Sequence, residues 1–233
     1  MKQSATFPYH LYTISGMGLN ENLFSALDLP FESVNHIKWI EPNTSSESLV
    51  DYCKRLCEQI HHEERIVLLG CSFGGMVAKE ISELIEVEKV IIVSSIKNAK
   101  EKPIAFDMLG LVPVHLMTPG VIKKMTFPIW APMFGLENQD EKSFFSKMFL
   151  TTSESYKDWA TTQIARWKNN LPSKNTLHIH GDNDLIFPLF SIRGAEVIEG
   201  GDHAMIVKRA NEVDTIIYNY MERFHHQKEK EVV

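Results

Sequence analysis

Gly70-Cys71-Ser72-Phe73-Gly74 sets a serine between two glycines, after the apolar run Ile66-Val67-Leu68-Leu69 and ahead of an amphipathic stretch. That order reads as a strand, a sharp turn and a helix start. The spacing Gly-x-Ser-x-Gly is that of a nucleophile elbow, where strained backbone holds a serine hydroxyl at the carboxyl end of a strand. Glycines on either side leave no Cβ to collide in so tight a turn. A serine hydroxyl is a weak nucleophile at neutral pH. It needs a base to take its proton, and the base needs a carboxylate to hold its ring. Both follow in chain order. His178-Ile179-His180-Gly181-Asp182-Asn183-Asp184 reads as a strand running into a Gly/Asp turn. Asp184 is the expected acid and Asp182 the alternative; the competing reading is that both are ordinary turn residues, since aspartates favour such turns by bonding their own backbone. Glu199-Gly200-Gly201-Asp202-His203 then puts His203 in a glycine-rich loop before the C-terminal helix, as the expected base. His178 and His180 alternate along their strand, so at most one is expected to face the site, and His180 is read as structural.

Attack on an acyl carbon creates an oxyanion that needs donors. One is expected from the N–H of Phe73, at the amino end of its helix. The other is expected from the N–H of Met17 in Ser15-Gly16-Met17-Gly18-Leu19, a turn whose glycines permit close approach to substrate. Gly16, Leu19, Trp130, Met133 and Phe134 are the candidate substrate contacts.

The rest of the chain has to position these groups. Short β-rich apolar runs at residues 11–15, 34–40, 65–70, 89–95, 176–180 and 195–198 alternate with segments of helical period at 47–61, 73–85 and 204–224. That alternation predicts an α/β fold with a mostly parallel sheet and helices on both faces. Ser45 and Ser46 are candidate caps of the first long helix, and the stretch from His225 onward reads as a charged, frayed tail. The long span between the fourth and fifth strands must hold its own helices. It is expected to be a helical cap inserted at about residues 97–170, with two longer helices in its second half and Phe144, Phe145, Met148, Phe149, Trp159, Ile164 and Trp167 facing inward. With 233 residues, the chain suits one domain, 1–233, interrupted by that cap.

Ser72, Asp184 and His203 in that order, a glycine turn after the first strand and a cap before the acid together resemble the α/β-hydrolase superfamily over nearly the whole chain. The likeness is to small bacterial-type serine hydrolases. It implies a Ser-His-Asp triad, an acyl-enzyme and no cofactor or metal. Two departures stand out. Ser15 precedes Gly16 where many members have His-Gly, and the early first strand leaves no room for an N-terminal hairpin, so a reduced sheet of six parallel strands is expected. Ser72 also disfavours the epoxide and haloalkane hydrolysis of this superfamily, which uses an aspartate at that place.

Composition narrows the partners. A net charge of −6 with no local basic patch excludes a nucleic-acid partner. No apolar run approaches the roughly 18 residues of a membrane span. Three cysteines, Cys53, Cys57 and Cys71, form neither a disulfide framework nor a metal spacing and suit the cytoplasm. The expected function is hydrolysis of an ester or thioester of a small, largely apolar acyl group. The alternatives are a catalytically weak receptor for a hydrophobic small molecule, or a carbon–carbon bond hydrolase or lyase using the same triad. The sequence leaves the acyl length and the oligomeric state open.

Overall fold

The computed structural model describes residues 6–61, 65–111, 131–173 and 175–231. Six strands, β1 (Phe7–Ile14), β2 (Phe31–His36), β3 (Ile66–Cys71), β4 (Lys89–Val93), β5 (Thr176–Gly181) and β6 (Glu196–Ile198), form one sheet in the order β2-β1-β3-β4-β5-β6. Every neighbouring pair is parallel. Parallel neighbours need crossovers, and those crossovers supply the helices: α1 (Leu49–Leu56), α2 (Phe73–Ile81), α3 (Ile104–Leu111), α4 (Gln139–Thr151), α5 (Glu154–Arg166), α6 (Met205–Lys208) and α7 (Ala210–Glu231). The sheet is thus the six-stranded parallel α/β sheet that the sequence predicts.

Period-2 alternation divides the strand side chains between two cores. Tyr12, Ile14, Leu68 and Ile92 face a layer closed by α1, α2 and Trp159 of α5. Leu11, Leu69, Ile91, Val93, Leu177 and Ile179 face a second layer closed by α6, α7 and, from α4, Phe145 and Met148. Each such side chain, fully buried, contributes about 1.5–3 kcal/mol of transfer free energy. This explains why the central strands read as unbroken apolar runs.

Several boundaries differ from expectation, each for a tertiary reason. β1 starts at Phe7, ahead of the expected residue 11, because Phe7 and Tyr9 pack on α7, against Tyr218 at 5.4 Å and Phe224 at 5.6 Å. β2 spans Phe31–His36 instead of 34–40. Residues 38–40 lie past the ladder and are pinned by side chains. Gln59 exchanges hydrogen bonds with Lys38 N–H and C=O, both 2.9 Å, and the Tyr52 hydroxyl does the same for Ile40 at 3.2 and 2.8 Å. Ser48, not Ser45 or Ser46, caps α1, accepting from Asp51 N–H at 3.1 Å. The expected helix 47–61 gives way to a 3-10 turn after Leu56, and α2 stops at Ile81, short of residue 85. The C-terminal helix breaks at Arg209 and then continues to Glu231. The stretch expected to fray is held instead by His225, edge-on to Tyr9 at 6.1 Å, and by Lys228, 3.5 Å from Glu88.

Between β4 and β5 lie α3, a 3-10 turn at Ala131–Phe134, α4 and α5. A capping box of Asn138 and Glu141 starts α4, and Ser153 caps α5. Phe145, Met148, Trp159, Ile164 and Trp167 are buried as expected. Phe144 and Phe149 are only half-buried. Cys53, Cys57 and Cys71 are buried and free. Among the described residues no helix is long and apolar enough to cross a membrane.

Candidate active site

Ser72 stands between β3 and α2 with φ 54° and ψ −121°, a conformation disfavoured for a residue with a side chain. Its surroundings hold it there. Ser72 N–H donates to Val93 O at 3.0 Å, and Ser72 O accepts from Ser95 Oγ at 2.6 Å and Gly75 N–H at 2.9 Å. A Cβ on Gly70 would collide with the Gly74 carbonyl, and one on Gly74 with the carbonyls of Ile14 and Ser15. The two glycines therefore let β3, α2 and the end of β1 meet at the serine.

The loops after β5 and β6 run side by side at the same sheet edge. Asn183 N–H donates to Gly201 O at 2.9 Å, and a Cβ on Gly181 would strike that same carbonyl. This contact brings Asp184 beneath His203. His203 Nδ1 is 2.8 Å from Asp184 Oδ2, and its Nε2 is 2.9 Å from Ser72 Oγ. A carboxylate can only accept, so Nδ1 carries the proton of the neutral ring and Nε2 is left to accept from the Ser72 hydroxyl. Asp184 Oδ1 accepts from the N–H groups of Ile186 and Phe187 at 2.8 and 2.9 Å. Burial alone would raise the Asp184 pKa, with the residue only 2% exposed. The charge and hydrogen bond of His203 and the Phe187 N–H outweigh it and hold the carboxyl below its ordinary value. Asp182, the alternative acid, is occupied elsewhere, accepting from Gly200 N–H at 2.7 Å.

Gly16 closes a turn by accepting from Leu19 N–H at 3.0 Å, and Gly18 takes the positive φ of 73° that its third position needs. A Cβ on Gly16 would lie 3.6 Å from Ser72 Cβ, so this turn abuts the serine. The Trp39 indole N–H donates to Ser15 Oγ at 3.0 Å and to Gly16 O at 3.2 Å, and Ser15 Oγ donates to Leu19 O at 2.9 Å. Phe73 begins α2, so its N–H is one of those a helix leaves without an internal acceptor.

No protein-family model matches the sequence, and no curated protein matches it. Solved structures do. MenH from S. aureus aligns with a TM-score of 0.70 at 16% identity, covering 94% of this chain and 95% of that one. A thermophilic esterase from Thermogutta terrifontis aligns at 0.64 and 17% identity, over 95% and 92% of the two chains. A structure from a study of carboxylesterases of the thaumarchaeon Nitrososphaera gargenis aligns at 0.68 and 16% identity, over 97% and 94%. The chain has the α/β-hydrolase fold. Ser72, Asp184 and His203 all stand just past the carboxyl ends of strands of this sheet.

Of the other expected contacts, Phe134 packs edge-on to His203 at 5.6 Å, and Phe187 makes a tilted contact with the same ring at 5.7 Å. Leu19 is half-buried beside Gly16. Met133 is 39% exposed. Trp130 lies outside the described residues. A cavity of about 340 Å³ adjoins the Gly16 turn, lined by Ser15, Leu19, Trp39, Glu41, Thr152 and Tyr156 among others, with Ser72 outside its lining.

Three features of this α/β-hydrolase edge escaped the sequence. Trp39 carries no signal beyond an aromatic residue within the expected strand 34–40. Gly135, at φ 81°, lies so close to Asp202 that a Cβ would strike its carboxylate. Lys208 Nζ joins the two, donating to Gly135 O at 2.7 Å and to Asp202 Oδ2 at 2.5 Å, while Asp202 Oδ1 accepts from Ala204 N–H at 2.9 Å. A lysine six residues after an aspartate has no helical spacing to reveal such a bond.

The pair His178 and His180 corrects the sequence reading. Residues two apart on a strand share a face, and the two rings pack edge-on at 5.3 Å on the same side of β5. His180 Nε2 lies 2.7 Å from Phe187 O, bracing the turn that presents Asp184, and His178 Nε2 lies 3.0 Å from Ser95 O. Burial, helped by His180 and Lys97 and opposed by the Ser95 carbonyl and Asp184, pushes the His178 pKa down to about 3 from an ordinary 6.5. Between those values the unfolded chain binds a proton that the folded chain refuses, so stability falls as pH drops from 6.5 toward 3. At pH 5 His178 alone is expected to cost about 2 kcal/mol. Urea melts at pH 7 and pH 5 check this: the acid-induced loss should shrink by that amount in His178→Asn.

Proposed function

We propose that this protein is a serine hydrolase that cleaves an ester or thioester of a small, largely apolar acyl group. The unbroken chain from Ser72 Oγ through His203 to Asp184, with links of 2.9 and 2.8 Å, carries this reading. Ser72 attacks the acyl carbon as His203 Nε2 takes its proton. Asp184 holds the Nδ1–H and stabilises the imidazolium, and the N–H groups of Phe73 and Met17 receive the oxyanion. His203 then delivers its proton to the leaving oxygen or sulfur. Water, activated by the same ring, releases the acid and restores the Ser72 hydroxyl.

The esterase and carboxylesterase structures that share the fold support an ester substrate. Phe134 and Phe187 about His203, with Leu19 nearby, support an apolar acyl group. We read the chain as one domain in which about residues 97–170 cap the sheet edge. Its three buried free thiols suit the reducing cytoplasm. A fluorophosphonate probe is expected to label Ser72 stoichiometrically, read by peptide mass spectrometry, in a protein that hydrolyses short or medium p-nitrophenyl esters. An unlabelled Ser72 together with no turnover of those esters rejects the reading.

A further inference from the structure

We infer that Trp39 is a positioning residue for the oxyanion site, holding the Gly16–Met17 peptide so that its N–H faces the reacting centre. This rests on the hydrolase reading above. The carbonyl of Gly16 and the N–H of Met17 belong to one planar trans peptide and point in opposite directions. Whatever grips the carbonyl therefore aims the N–H. Two donors grip it: Leu19 N–H from within the turn and the Trp39 indole N–H from outside. A carbonyl that accepts two hydrogen bonds also makes its own N–H a stronger donor, through polarisation along the chain of bonds.

Trp39 itself is held by neighbours on both its backbone and its ring. Its flanking residues are clipped by Gln59 and Tyr52, and its ring packs on Tyr156 at 5.5 Å. The same ring stacks on Phe73 at 5.6 Å and 27°, so one side chain braces both residues whose N–H groups would receive the oxyanion. Ser15, at the position where His precedes Gly in many proteins of similar sequence pattern, completes the arrangement by accepting the other share of the indole N–H. A preorganised donor of this kind acts on the transition state and leaves ground-state binding alone.

The test removes the N–H and keeps the ring. Benzothienylalanine, in which sulfur replaces the indole N–H, is placed at position 39, with Trp39→Phe as a second variant. Both are measured with p-nitrophenyl butyrate, with a trifluoromethyl ketone that forms an oxyanion on Ser72, and with the corresponding alcohol, which forms none. The expected result is a kcat roughly 10- to 100-fold lower, with KM within about twofold of the parent. Affinity for the ketone should fall by a similar factor while affinity for the alcohol holds. In the parent, the Trp39 indole proton should exchange slowly with solvent, and the Met17 amide resonance should move in both variants.

Unchanged kcat and ketone affinity in an active protein overturn the role of Trp39 and leave the hydrolase reading standing. A rapidly exchanging indole proton with an unmoved Met17 amide overturns it without reference to turnover. A parent that neither labels with fluorophosphonate nor turns over ester overturns the hydrolase reading, and the role of Trp39 in it as well.

Discussion

Ser72→Ala is expected to lower kcat toward p-nitrophenyl esters by at least about 10⁴-fold, with the fold intact. The substitution removes only Oγ, and thereby the nucleophile and the proton that His203 Nε2 is placed to receive at 2.9 Å. The backbone bonds that hold the elbow, to Val93 and from Ser95, do not involve that atom and survive. Far-UV circular dichroism and the thermal midpoint should match the parent. Initial rates over a range of ester concentrations provide the measurement, and a variant that keeps a tenth of parental kcat would remove Ser72 from the reaction.

Asp184→Asn should be nearly as damaging, with kcat down roughly 10³- to 10⁴-fold, because the surrounding loop dictates how the amide must sit. Asp184 Oδ1 accepts two backbone N–H groups, from Ile186 and Phe187. An asparagine keeps those bonds only by leaving its carbonyl oxygen there, which turns its NH₂ toward His203 Nδ1. A donor at that place forces the imidazole into its other tautomer, with the proton on Nε2 facing the Ser72 hydroxyl. The base is then blocked while every heavy atom stays near its place. Crystallography of the variant with its pH–rate profile separates this outcome from collapse of the loop. Parent-like kcat in Asp184→Asn would show that the carboxylate does not set the ring.

The carboxylate also bears on acid stability. His203 holds the Asp184 pKa below that of the unfolded chain, so its contribution is fully present above the ordinary carboxylate value and is lost as pH falls through the depressed one. The loss from His178 sets in earlier, from about pH 6.5 downward. Acid therefore weakens the histidine pair behind the edge before it reaches the carboxylate.

Local sequence revealed whatever local physics decides. The elbow could be read because two glycines and a serine at fixed spacing answer a local steric demand. The central strands could be read because burial on both faces leaves no polar residue to interrupt them. The start of β1 was hidden by Pro8 and His10, and its membership in the sheet depends on Phe7 and Tyr9 meeting a helix some 210 residues further on. Residues 38–40 read as strand because they continue the extended pattern around Trp39 and Ile40, whereas Gln59 and Tyr52, distant in sequence, take the place of the ladder there. The grouping of Ser72, Asp184 and His203 was legible, but the bonds that tie Lys208 to Asp202 and Gly135, or Trp39 to Gly16, join groups at spacings that leave no periodic trace.

The Lys208 bonds tie together two stretches of chain that are far apart in sequence. Its ammonium fastens the Gly135 turn, directly after the Ala131–Phe134 segment, to Asp202, the residue that precedes His203. Phe134, next to that turn in the chain, packs edge-on to the imidazole. A substitution that displaced the Gly135 turn would therefore strain the loop that carries His203. The imidazole is thus held through two separate parts of the chain: Asp184 binds its Nδ1, and the bonds from Lys208 to Gly135 and Asp202 fix the loop on which it stands.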